Sequence, residues 1–172
     1  IGNYYGDMNY DVWLIKTDSS GIEEWSQTFG TTDEWGNPIS ERGSSVQQTS
    51  DGGYIITGNS SSGVWLIKTD GNGNEEWNQT FFECDRGCIS NYVQQTTDGG
   101  FIIVGTSNHS SSSEVLLIKT DSNGNKEWTK TFGGGINQPL EDEGKFVQQT
   151  TDGGYIIVGI KEYSSSGSDD VL

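Results

Sequence analysis

The sequence is short of positive charge and of long apolar runs, and each shortage argues against a class of partner. Nine Lys and Arg residues stand against 25 Asp and Glu, so the net charge is −16. This balance predicts no nucleic-acid partner, because phosphate binding requires a basic surface. No apolar run approaches the roughly 18 residues of a membrane helix, so this segment is not expected to insert into a membrane.

Apolar residues are also scarce, at 30% of the chain, and 25 residues are glycine. Such a composition borders on that of disordered proteins. An internal repeat of about 50 residues points instead to an ordered array. One block, at 45–58, returns at 92–105 and 146–159, and a second block, at 12–18, returns at 64–70 and 115–121.

Each period contains four strand signals, which we label a to d. In the best-preserved copy they cover residues 46–49, 54–58, 64–69 and 76–81. Strands a and b are joined by Asp-Gly-Gly, and strands c and d by Asp-Gly-Asn-Gly-Asn, both typical of tight reversals. Four short antiparallel strands per period predict an all-β fold made of β-propeller blades, with about three blades in this chain.

Three motifs carry a family resemblance. They are Asp-Gly-Gly-Tyr-Ile-Ile at 51–56, Trp-Leu-Ile-Lys-Thr-Asp at 65–70, and Gly-Asn-x-Glu-Trp-x-x-Thr-Phe at 73–81. In these the chain resembles the tandem β-propeller repeats of archaeal and bacterial secreted or cell-surface proteins. It is more distantly similar to quinoprotein-type propellers, through Asp18, Gly21 and Trp25. That likeness implies that the repeat tryptophans pack between adjacent blades.

The repeat predicts that residues 1–172 form one propeller segment with four parts. Residues 1–44 hold strands c and d of a first blade, 45–90 and 91–144 form two blades, and 145–172 hold strands a, b and the start of c. We expect strands b and c to be buried on both faces, because they are nearly continuous apolar runs. The expected partners are the remaining blades of a longer chain or identical protomers that complete a ring.

The loops of a repeat scaffold are where binding residues are usually found. Here the d–a and b–c loops differ between copies, whereas the a–b and c–d turns repeat. The same residues could equally be solvated loop positions. The ligand-binding candidates on the variable loops are Trp35, Arg42, Asp85, Arg86, Glu141, Asp142 and Glu143.

Two cysteines and three asparagines suggest modifications that are typical of extracellular proteins. Cys84 and Cys88 are the only cysteines, and a disulfide between them would pin one d–a loop in an oxidising compartment. Three Asn-x-Ser/Thr sequons could accept glycans, although a chain rich in these residues produces sequons by chance. The candidate glycosylation sites are Asn59, Asn78 and Asn108.

The two c–d turns with alternating oxygen ligands resemble calcium loops, but they lack the glutamate that closes such a loop. Hairpin geometry alone would explain them, and no other cofactor is expected. The calcium candidates are Asp70, Asn72, Asn74, Asp121, Asn123 and Asn125.

Two functional hypotheses remain. The first is a non-catalytic module of an extracellular or cell-surface protein, used for adhesion, surface assembly or recognition of a protein or glycan. The alternative is a lectin or a glycoside-active propeller enzyme, in which Trp35 would stack on a sugar ring.

Overall fold

The computed structural model describes residues 9–60, 63–82, 87–109, 112–133 and 141–162. These residues form twelve strands and no helix, which confirms the all-β prediction. The strands are β1 (Val12–Thr17), β2 (Glu23–Phe29), β3 (Arg42–Gln48), β4 (Tyr54–Ser60), β5 (Gly63–Thr69), β6 (Glu75–Phe81), β7 (Cys88–Gln95), β8 (Phe101–Asn108), β9 (Ser113–Thr120), β10 (Lys126–Phe132), β11 (Glu143–Gln149) and β12 (Tyr155–Ile160).

The strands form four antiparallel sheets in chain order. Sheet 1 is β1–β2, sheet 2 is β3–β6, sheet 3 is β7–β10 and sheet 4 is β11–β12. Each strand pairs with the next one in its sheet, which confirms the predicted four-stranded antiparallel units. Within the described residues the sheets do not close on one another, so these contacts establish stacked sheets and not a ring.

The first strand of sheet 2 is longer than the sequence predicts. Strand a was expected to begin at Val46, but β3 begins at Arg42, within the predicted d–a loop. The extension is possible because the pairing of β3 with β4 shifts by one residue between Gly43 and Ser45. Such a bulge lets a strand continue where simple apolar alternation stops.

The core lies between consecutive sheets. Ile56, Trp65 and Ile67 of sheet 2 pack against Val12 and Leu14 of sheet 1. The opposite face of sheet 2 packs on sheet 3, and the far face of sheet 3 packs on sheet 4. Because strands β5 and β8 have a neighbour on each side, β5 is buried at every position and β8 at all but its last.

We expected strands b and c to be buried on both faces, but in sheets 1 and 4 they are not. Among the described residues, each of these terminal sheets has only one neighbouring sheet. Burial alternates along β1, and most of β12 is exposed, so the prediction that strands b and c are buried on both faces is wrong there. The expected inter-blade burial of the repeat tryptophans also fails at one position. Trp13 is 65% exposed, whereas Trp65 at the same repeat position is 2% exposed.

Candidate binding site

An ordered turn between β2 and β3 presents Trp35, one of the predicted ligand-binding residues. Asp33 Oδ1 accepts the backbone N–H groups of Trp35 at 2.9 Å and Asn37 at 2.8 Å, and Thr32 pairs with Pro38 across the base. The pKa of Asp33 is lowered, mainly by the hydrogen bond that its carboxylate accepts from the side-chain amide of Asn37. Hydrogen bonds within the turn therefore fix its shape, and Trp35 at its tip is 77% exposed.

A cavity of about 250 Å³ lies at the base of this turn. Thr31, Ile39 and Glu41 contribute the loop side of the cavity, and Trp65 of sheet 2 and Phe82, just after β6, contribute aromatic surface. The Phe82 side chain is 71% exposed. The site thus combines apolar aromatic walls with a carboxyl group, which is the usual make-up of a small-ligand pocket.

Glu41 is the most unusual group of the cavity. It is fully buried, and its Oε1 atom accepts a hydrogen bond from the Thr31 hydroxyl. Its Oε2 atom is buried and has no hydrogen-bond partner among the described residues. Burial raises the pKa of Glu41, and the hydrogen bond from Thr31 opposes that rise. A buried carboxyl oxygen without a hydrogen-bond partner is costly, because its desolvation is not compensated.

The predicted ligand residues do not form one cluster. Trp35 and Arg42 lie at the junction of sheets 1 and 2, where the Arg42 guanidinium stacks 4.5 Å from the centre of the Tyr10 ring. Asp85 and Arg86 lie outside the described residues. The remaining three are Glu141, Asp142 and Glu143, which lie at the start of β11.

These three acids have structural contacts. Glu141 forms an isolated bridge with Ser113, and Asp142 is 2% exposed and accepts the N–H of Glu162 at 3.0 Å. Glu143 forms an ion pair with Lys145. The acids therefore help to fix β11 beside sheet 3 and are not grouped as one open acidic patch.

The two turns considered as calcium loops are organised by their first residue. Asp70 Oδ1 accepts the N–H groups of Asn72 and Asn74, and its Oδ2 accepts the Asn74 side-chain amide. Asp121 makes the same three contacts with Asn123 and Asn125. The Asn74 and Asn125 amides are the leading causes that lower the pKa values of Asp70 and Asp121.

The three sequons lie in different environments. Asn59 Oδ1 accepts the N–H of buried Ser90 at 2.6 Å and so joins sheets 2 and 3. Asn78 is exposed on the outermost strand of sheet 2, where it accepts the indole N–H of Trp65. Asn108 ends β8 and is partly exposed.

The structure describes only one of the two cysteines of the predicted disulfide. Cys84 lies outside the described residues, so the pairing stays a prediction. Cys88 begins β7 and is 5% exposed, at the position that Glu41 and Asp142 occupy in their own sheets. Cys88 therefore lies where β7 enters the core.

Sequence reasoning missed Glu41 and Phe82. Glu41 was one of several acids in a variable loop, and nothing local distinguishes it from Glu34. A usable signal was its position just before the repeat block, where the other copies carry Cys88 and Asp142. Phe82 was an apolar residue just beyond strand d, in place of the glycine found at residues 30 and 133.

The chain matches no protein-family model and no curated protein. In the part of the chain that the structure describes, no three His, Cys, Asp or Glu side chains are grouped as metal ligands. No helix in those same ranges is long and apolar enough to cross a bilayer.

Proposed function

We propose that this chain is a β-propeller segment that acts as a non-catalytic recognition module outside the cell or on its surface. The observation that carries the proposal is the cavity at Glu41, with the exposed Trp35 turn above it and exposed Phe82 at its side. A rigid scaffold of stacked sheets with a binding site on its variable loops is a common arrangement for recognition. The acidity of the chain supports an exposed, soluble surface.

A glycan is the ligand class that this site favours. Trp35 and Phe82 offer exposed aromatic faces for the apolar side of a sugar ring. Glu41 lines the cavity, and a sugar hydroxyl that reached its buried Oε2 atom would supply the missing hydrogen-bond partner. The aromatic residues would supply most of the binding energy, and Glu41 would select for a hydroxyl at one position.

A glycan array with the wild-type chain and three variants tests this proposal. We expect specific binding that Trp35→Ala and Phe82→Ala each weaken by at least tenfold, and that Glu41→Gln weakens for only some glycans. Ile22→Ala is the matched control, since Ile22 is 67% exposed in a c–d turn away from the cavity.

Two results would contradict the proposal. Binding that survives both aromatic substitutions would place the ligand elsewhere on the chain. Hydrolysis of a bound glycan by the wild-type chain, lost in Glu41→Gln, would instead establish the glycoside-active alternative.

A further inference from the structure

Sheets 1 and 4 are complementary halves of the complete sheets. By sequence, β1 and β2 correspond to β5 and β6, and β11 and β12 correspond to β3 and β4. In sheet 2 the two halves are joined where β4 pairs with β5. In the described residues, β1 and β12 have no strand on the corresponding edge.

The outer faces of these half-sheets are apolar and uncovered. Trp13 and Ile15 are 65% and 42% exposed, whereas Trp65 and Ile67 at the equivalent positions are 2% and 1% exposed. Ile156 and Val158 of sheet 4 are each 62% exposed. Their counterparts in sheet 3 are fully buried at Ile102 and Val104. Contiguous apolar surface of this kind marks an interaction site.

A cavity also lies beside each half-sheet, at a position that side chains fill between the complete sheets. A cleft of about 380 Å³ between sheets 3 and 4 is lined by Val115 and Phe132 on one side and by Ile157 and Gly159 on the other. In sheet 1 the equivalent residues, Val12 and Phe29, pack in one cluster with Trp65 of sheet 2. The cleft beside Val115 therefore corresponds to the place where a tryptophan at the repeat position of Trp13 would pack.

The second cavity, of about 220 Å³, lies at the opposite end of the stack. It is lined by Val12, Leu14, Val46 and Ile56. Between sheets 3 and 4, the equivalents of Val46 and Ile56 are Val147 and Ile157, which pack with Ile102 and Val104. This cavity is therefore where Ile156 and Val158 would fit.

Each complete sheet contains a lysine that contacts two carboxylates, and the equivalents of these three groups are divided between sheets 1 and 4. In sheet 2, Lys68 Nζ lies 2.9 Å from Asp51 and 2.8 Å from Glu76, and Lys119 makes the same pair of contacts in sheet 3. In sheet 1, Lys16 has the equivalent of Glu76, which is Glu24 at 2.6 Å.

The missing third member of that group lies in sheet 4. Asp152 is the equivalent of Asp51, and among the described residues its contacts are with Thr150 and Gly154. Asp152 and Lys16 are therefore oppositely charged groups on different half-sheets, and the described residues of one chain do not bring them together. Joining β12 to β1 in the register of sheet 2 would place Asp152 beside Lys16.

Glutamine side chains link β3 to β7 and β7 to β11, and this series of hydrogen bonds is incomplete at the same junction. Gln47 accepts the N–H of Gln95 at 2.6 Å, and Gln94 accepts the N–H of Gln149 at 2.8 Å. The next acceptor in this series is Gln148, and the first donor is the N–H of Gln48. Within the described ranges, the Gln148 side chain has no hydrogen-bond partner.

We propose that a second copy of this chain covers both ends, with β12 of each copy paired antiparallel to β1 of the other. The register of sheet 2 places Tyr155 opposite Thr17, Ile157 opposite Ile15, and Gly159 opposite Trp13. The described residues of each chain form two four-stranded sheets and two half-sheets, so two copies joined in this way form six four-stranded sheets. Six sheets lie within the range of about four to eight blades with which propellers close.

The first test is the mass of the 172-residue chain in solution, measured by light scattering over a range of concentrations. We expect a species of twice 18.7 kDa. Trp13→Glu should weaken self-association by at least a hundredfold and leave the circular dichroism spectrum unchanged. Ile22→Glu is the control, because Ile22 is similarly exposed but lies in a turn. A folded monomer at every concentration would overturn the proposal and assign these faces to another partner.

Charge reversal tests the register independently. Lys16→Glu and Asp152→Lys should each weaken the dimer by at least tenfold, because like charges would then meet at the junction. The double variant should recover most of the loss. A dimer that neither single substitution affects would show that the copies associate through other surfaces, and would overturn the proposal.

A cross-link distinguishes a closed ring from an open chain. Ser60 pairs with Gly63 in sheet 2, and the equivalent positions at the junction are Lys161 and Asp11. A chain with both Lys161→Cys and Asp11→Cys should oxidise to a covalent dimer only. Wild type treated identically controls for the native cysteines, Cys84 and Cys88. A ladder of larger species would mean open association and would contradict closure by two copies.

Discussion

Gly73 lies directly against the indole of Trp25 on the preceding sheet. An added Cβ at Gly73 would come within 2.6 Å of the Cζ3 atom of that ring, and the residue has a φ of +81°. Gly124 stands in the same relationship to Trp77. The turn glycine is thus required twice, once for the reversal of the chain and once for contact between sheets.

We expect Gly73→Ala to destabilise the chain more than Gly36→Ala. Gly36 occupies the same position of a similar turn with the same φ, but nothing lies within 4 Å of its added Cβ. The positive φ should cost each variant about 1 kcal/mol. The clash with Trp25 should add about 1–3 kcal/mol at Gly73. Urea denaturation of both variants measures the difference, and equal losses would contradict the packing argument.

Lys68→Met should lower the free energy of unfolding by about 1–3 kcal/mol. The Lys68 side chain is 6% exposed and bridges Asp51 and Glu76, which would then face each other without a cation. The loss stays moderate because both carboxylates are about half exposed. Lys145→Met, which removes a half-exposed pair with Glu143, should change stability by less than about 0.5 kcal/mol. Chemical denaturation at neutral pH compares the two.

Acid should destabilise the fold in part through Asp98. The Thr96 hydroxyl, followed by the Lys119 ammonium, lowers the pKa of Asp98 to about 2. A carboxyl whose pKa is depressed by folding stabilises above its ordinary pKa, and that stability is lost as the pH falls through the folded-state value. Asp98→Asn should therefore flatten the fall in stability between about pH 4 and pH 2. Thermal unfolding against pH tests this, with exposed Glu34→Gln as the control. Parallel curves for Asp98→Asn and wild type would contradict it.

Asn59→Ala should cost about 1–3 kcal/mol of stability. The substitution leaves the N–H of Ser90 without its acceptor, and Ser90 is fully buried between sheets 2 and 3. Asn108→Ala removes the sequon asparagine of sheet 3, which is partly exposed, and should have a smaller effect. Denaturant midpoints of the two variants decide the matter. A larger loss at Asn108 would be the contrary result.

The protein isolated from an oxidising medium should carry a disulfide between Cys84 and Cys88. Alkylation without reduction should leave the intact mass unchanged, whereas alkylation after reduction should add two adducts. Since Cys88 is buried at the start of β7, reduction should also increase proteolysis of the loop that precedes it. Two adducts without reduction would show that the thiols are free.

Local chemistry made the hairpins predictable from the sequence. The Asp-Gly-Gly turn after residue 50 and the Asp70 turn fix their own geometry through short hydrogen bonds, such as Asp51 to the N–H of Gly53. Apolar runs between the turns then set the strands and their register. The all-β fold and its four-stranded units follow from interactions within about ten residues, which a single sequence displays directly.

Burial was decided by the tertiary structure, because it depends on which sheet lies opposite. Trp13 and Trp65 share one motif, yet only Trp65 has a neighbouring sheet to cover it. Glu34 and Glu41 are acids of one loop, yet only Glu41 is enclosed between sheets with an oxygen left unpaired. The sequence by itself determined the repeating unit. The stacking of units determined which copies of each residue are core and which are surface.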